Sequence, residues 1–240
     1  MRRISIAALV LSACSFPGAA PEGEQGTDAA ATDAAPSGDA ADLIDAPWSV
    51  QTLSFRHNVN GYVGSIDTHI NELARDQPHG AETNVISDLS YQDSEEQWGL
   101  IAFHQIFGPG PMQIPENAII RLATLEILVY DEGQELGFHR ALRTWNEDAV
   151  WNEFGQQETD APESGVDYLA DATDSVPQDF VDSSPFGLLV TADLTAWLAE
   201  PGTNFGWVVR PNGGNSVQFY SREHDRAAER PRLTVEFEAP

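Results

Sequence analysis

The chain of 240 residues carries a formal charge of −26, from 38 acidic and 12 basic residues, and every basic residue is an arginine. That balance excludes nonspecific binding to nucleic acid and electrostatic docking on an anionic membrane, since both need positive charge. The lack of lysine excludes Schiff-base and P-loop lysine chemistry. The single cysteine, Cys14, excludes an intramolecular disulfide and a thiolate zinc site.

Residues 1–13 have the layout of a signal peptide: Met1-Arg2-Arg3 is positive, and Ile4 to Leu11 is an apolar run too short to span a bilayer. Leu11-Ser12-Ala13-Cys14 resembles the bacterial lipobox, so cleavage before Cys14 and acylation of its thiol are expected. The membrane would then be reached through a lipid anchor alone. Ser15 at the position after the cysteine suggests the outer membrane or cell surface. Residues 14–47 hold seven acids, no basic residue and almost no large apolar side chain. Such a segment cannot offset its ordering entropy, and it reads as a disordered acidic tether.

From Trp48 to Pro240 the composition becomes that of one globular domain. Short apolar runs alternate with turn residues. Strands are predicted at Val50–Phe55, Tyr62–Ile70, Trp98–Phe103, Ala118–Tyr130, Leu136–Leu142, Gly187–Val190, Phe205–Arg210, Val217–Tyr220 and Leu233–Phe237. The run 118–130 has Ile120, Leu122, Thr124, Glu126, Leu128 and Tyr130 on one phase and Ile119, Ala123, Leu125, Ile127 and Val129 on the other, with Arg121 the exception there, as for a strand largely covered on both faces. Residues 193–199 read as helix, with Leu194, Trp197 and Leu198 on one stripe and Pro201-Gly202 beyond its end. Residues 156–182 read as a long acidic loop. The fold class expected is all-β, a β-sandwich.

Several local signatures occur in the order of a known family. Gly61-Tyr62-Val63-Gly64-Ser65-Ile66-Asp67-Thr68-His69-Ile70 opens the set. Leu100-Ile101-Ala102-Phe103, Ile114-Pro115-Glu116-Asn117-Ala118-Ile119-Ile120 and Ala123-Thr124-Leu125-Glu126-Ile127 follow. Then come Trp145-Asn146-Glu147-Asp148-Ala149-Val150-Trp151, Asp193-Leu194-Thr195, Asn204-Phe205-Gly206-Trp207 and Phe219-Tyr220-Ser221-Arg222-Glu223, with Arg230-Pro231-Arg232-Leu233-Thr234-Val235 last. Together they resemble the DNRLRE-domain family, classed with carbohydrate-binding module family ninety-six and related to disaggregatase repeats. The resemblance implies a jelly-roll β-sandwich that binds polysaccharide, with uronate polymers such as alginate among its ligands.

The residues themselves offer candidates for that role. Tyr62, Tyr91 and Trp98 lie beside polar residues and would serve as surface platforms for sugar rings. Trp145, Trp151, Trp197 and Trp207 are expected in the core. Arg56, Arg75, Arg121, Arg140 and Arg222 would clamp a uronate carboxylate bidentately, unless the chain's own acids take them first. Asp67, Asp193 and Glu223 would hold a structural calcium, with turn and cap chemistry the competing explanation. No GxSxG, HExxH or nucleophilic cysteine lies in the domain, and 38 acids make no single pair informative. The reading is therefore a non-catalytic, lipid-anchored envelope protein that binds polysaccharide and requires no cofactor. Its rival is a structural or adhesive envelope module, and a polysaccharide lyase or hydrolase comes third.

Overall fold

The computed structural model describes residues 47–89, 96–154, 161–181 and 184–240. The signal segment, Cys14, nearly all of the tether and Tyr91 lie outside them. Among the described residues, no helix is long and apolar enough to cross a membrane. The described residues pack as one unit.

The described residues form twelve antiparallel strands in two curled sheets packed face to face, an all-β sandwich. The smaller sheet runs in the order β1 (Ser49–Phe55), β12 (Arg232–Ala239), β5 (Ile119–Ile127), β9 (Phe186–Leu189). The larger runs β6 (Val129–Asp131), β11 (Val217–Tyr220), β3 (Asn84–Leu89), β4 (Glu96–Phe103), β10 (Trp207–Pro211), β7 (Leu136–Arg140), β8 (Asp174–Val176). β2 (Ser65–Asn71) adds to β4 over its whole length. Where β3 parts from β4, the Ser87 hydroxyl bridges the gap, accepting from the Gly99 amide and donating to the Val209 carbonyl.

Alternation places the core. Leu233, Val235 and Phe237 of β12 and Leu125 and Ile127 of β5 meet Phe103, Phe138, Trp207, Val209 and Phe219 of the larger sheet. Helix α2 (Thr191–Ala199) adds Leu194 and Trp197 to that core. The helix starts two residues before the expected stripe, because the Thr191 hydroxyl accepts from the Ala123 amide and docks the first turn on β5.

The expected continuous strand over 118–130 is two strands. β5 lies in the smaller sheet and β6 in the larger, so the chain changes layer at Leu128. Its first half is also not covered on both faces, since Ile119 and Leu122 are exposed. A bulge explains the break at Arg121. Glu236 pairs with Leu122 and Phe237 with Ile120, leaving Arg121 as the extra residue. One inserted residue exchanges the faces, so Ile120 packs inward before it and Ala123, Leu125 and Ile127 pack inward after it.

The outward face of the larger sheet is covered as well. Ile70, Trp98, Leu100 and Val208 pack under Ala149, Trp151, Phe154 and Tyr168. Trp151–Phe154 form the single turn α1. The cover is fastened by Trp145, whose indole N–H donates to the Phe205 carbonyl at 2.7 Å, and by Arg143, paired with Asp167 at 3.1 Å. The 156–182 region, expected to be a loop throughout, contributes β8 to the sheet edge.

Candidate functional site

On β10, side chains alternate between the two layers. Trp207 and Val209 enter the core, Val208 goes under the cover, and Arg210 follows Val208 on the outward phase. The apolar cover stops there. Beyond it lies an open polar cavity of about 500 Å³, lined by Arg210, Asn212, His139, Glu135 and Asp171, among others. Arg210 sits 5.7 Å above the Trp98 ring. Its Nε is buried without a hydrogen-bond partner, and no carboxylate stands within ion-pair distance among the described residues.

The walls of this cavity are set by neighbours. His139 Nδ1 lies 2.9 Å from the Leu169 carbonyl, so this nitrogen donates and Nε2 is left as an acceptor. Burial pushes the His139 pKa down, which keeps the ring neutral. A side chain at Gly137 would come within 2.7 Å of His139 Nε2, so glycine there leaves the ring its place. Asn212 donates to Glu135 at 3.1 Å. Asp174 is already spent on the Ser175 and Leu189 amides. The result is one unpaired guanidinium, a ring acceptor, an amide and free carboxylate oxygens around an open space. That set suits hydroxyl groups and one carboxylate.

Most of the arginines picked out in the sequence are taken by the chain's own acids. Arg75 pairs with Glu72 at 2.8 Å and Arg121 with Glu238 at 2.6 Å. Arg222 binds Glu147, Glu223 and the Ser65 carbonyl. Arg140 stands 3.9 Å from Asp193 and lines a second cavity of about 440 Å³ beside α2. Arg56 is half-buried beside Arg232 and Glu126, with its Nε unpartnered.

The expected aromatic platforms are corrected. Tyr62 is 8% exposed and donates its hydroxyl to the His104 carbonyl at 3.0 Å. Trp98 is 4% exposed, roofed by the cover, with its indole N–H on Glu96 at 2.8 Å. Both rings are too large and apolar to leave uncovered beside a core. Of the described tryptophans and tyrosines, only Trp48 and Tyr130 are exposed. Tyr130 stacks on Tyr220 at 4.5 Å.

The three expected calcium carboxylates are divided. Asp193 accepts from the Thr173 hydroxyl at 2.6 Å and the Trp207 indole at 2.7 Å, which is a structural task. Asp67 and Glu223 meet instead at Arg222, joined there by Glu147, which sequence reasoning passed over. Asp67 is 1% exposed and accepts only the Arg222 amide, so burial and the neighbouring Glu223 hold its carboxyl well above the usual range.

The recurring motifs thus mark scaffold. Gly206 has φ +74 and lies so close to the Ile101 carbonyl that a Cβ would sit 2.2 Å from it. Asn204 donates to the Phe103 carbonyl. A Cβ on Gly64 would meet the His104 carbonyl at 2.3 Å. The cavity is built from other residues. Its one sequence signal was Arg210, a charge ending the apolar run Trp207-Val208-Val209. No family model matches the chain, and no curated protein matches it in sequence.

Proposed function

We propose that the protein is a non-catalytic, lipid-anchored envelope protein whose sandwich binds polysaccharide, as its resemblance to DNRLRE-domain modules implies. The observation that supports this most is Arg210. From Trp48 onward the sequence holds 31 acidic residues against ten arginines, yet this guanidinium faces an open cavity without an acidic partner among the described residues. An unpaired cation on an aromatic floor is preorganised for a ligand's carboxylate. The His139 acceptor, Asn212 and the carboxylates of Glu135 and Asp171 would take sugar hydroxyls. The chain's overall negative charge slows the approach of a polyanion, so affinity for a uronate polymer is modest and weakens little as salt rises.

Affinity electrophoresis in gels containing alginate, pectate or a neutral glucan tests the reading. Retardation in a uronate gel is expected, reduced at least tenfold in apparent affinity by Arg210→Ala, with Arg121→Ala as an unaffected control. Unchanged migration of the wild-type protein in every gel refutes polysaccharide binding. Retardation that survives Arg210→Ala moves the site elsewhere.

A further inference from the structure

β2 carries an unusual inward row. Ser65, Asp67 and His69 follow one another at period two, all buried, where an apolar series would be expected. His69 is 1% exposed and faces the turn that follows β2 in the chain. That turn is closed by the Glu82 amide on the His79 carbonyl at 3.1 Å, which puts His79 and Glu82 on one side.

The three side chains converge. The His69 and His79 rings stack with centroids 4.3 Å apart and planes 21° from parallel. His79 Nδ1 lies 2.7 Å from one Glu82 oxygen, and His69 Nε2 lies 3.9 Å from the other. One ligand atom from each residue falls within a common span of 4.8 Å. Each ring also keeps one nitrogen buried and without a hydrogen-bond partner, His69 Nδ1 and His79 Nε2. Buried polar atoms left in this way are costly.

We propose that His69, His79 and Glu82 form a binding site for one divalent transition-metal ion, with zinc as the natural occupant. Two imidazoles and one carboxylate are the donor set of that class, whereas calcium asks for six to eight oxygens. Glu82 is the half-exposed member, so the remaining coordination position opens to solvent on its side. The ion would join β2 to the 79–82 turn. That turn already receives the Ser221 hydroxyl on the Glu82 carbonyl at 2.6 Å. The link would serve as a cross-link in a chain that cannot form a disulfide.

Titration of the metal-stripped full chain with Co²⁺, followed by displacement with Zn²⁺, tests the site. One saturable equivalent with a visible absorption band is expected. His79→Gln and Glu82→Gln should each weaken it at least tenfold, since changing even an outer-shell partner of a metal ligand typically costs about 10–100-fold. Circular dichroism checks that the variants fold, and Glu82→Gln keeps the side-chain volume and an oxygen that can still accept from His79 Nδ1. Independently of any variant, Zn²⁺ should shift the ring resonances of His69 and His79 in the wild-type protein and leave those of His57, His104, His139 and His224 in place. The proposal fails if no equivalent saturates, if the equivalent survives both substitutions, or if other histidine rings respond instead.

Discussion

Trp207→Ala is expected to remove about 5 kcal/mol of stability, enough to leave a domain at the low end of the usual range of about 5–15 kcal/mol largely unfolded. Two terms combine. The indole is fully buried between the sheets and packs edge-on against Trp197, with centroids 4.8 Å apart. Truncating such a side chain generally costs about 3–5 kcal/mol in lost transfer energy and cavity. The indole N–H is also a partner of buried Asp193, whose Oδ2 would keep only the Thr173 hydroxyl. Trp207→Phe separates the two, because it retains most of the ring volume and removes the donor. A loss of about 2 kcal/mol is expected for that variant. Urea unfolding with a common m value measures both. If alanine costs no more than phenylalanine, the packing account of this core is wrong.

The same tryptophan shows what the sequence made legible. Trp207 and Trp197 were expected in the core and lie there, and Val217–Tyr220 is a strand to the residue. Strong alternation and large aromatic side chains are local signals, and burial follows them. β3 was missed because Asn84-Val85-Ile86-Ser87-Asp88-Leu89 mixes short polar residues with apolar ones and owes its strand state to pairing with β11. Arg121 looked like a ligand clamp within an apolar strand, whereas a bulge accounts for it. Whether an arginine in an acidic chain is spent or free depends on which carboxylates the fold brings to it. Arg210 and Arg222 look alike in sequence. One meets none among the described residues and the other meets two glutamates. The His69, His79 and Glu82 cluster was hidden for a related reason, since the two histidines lie ten positions apart across a turn and no standard ligand spacing marks them.

Asp67→Asn is expected to gain stability relative to wild type as pH rises from the ordinary carboxylate range. The Asp67 carboxyl is held well above its ordinary range by burial first and by Glu223 second, with only the Arg222 amide and the Arg222 charge opposing. The native state therefore keeps a proton that the unfolded chain has already released. Stability linked to this group is highest below the ordinary carboxylate range and declines as pH rises towards the folded value. Each pH unit between the two values is worth about 1.4 kcal/mol. His69 acts in the opposite sense. Its pKa falls from 6.5 to about 4 in the folded state, so its contribution is complete above pH 6.5 and is lost as pH falls towards 4. The two slopes oppose each other between about pH 4 and 6.5, but the His69 contribution is common to wild type and variant, so the difference between the two proteins isolates Asp67. With chelator present, the melting temperature of wild type relative to that of the variant should fall as pH rises from about 4 to 8. The substituted asparagine is neutral throughout and its side-chain oxygen can still accept the Arg222 amide, so the variant's slope should shrink. Glu147, raised chiefly by burial, leaves a smaller residual slope. At pH 4, where aspartic acid and asparagine are both uncharged, the two proteins should melt within a few degrees of each other. A variant less stable than wild type at pH 8 would mean that the ionised Asp67 carboxylate is itself a stabilising partner of Arg222, and that the carboxyl is charged in the folded protein.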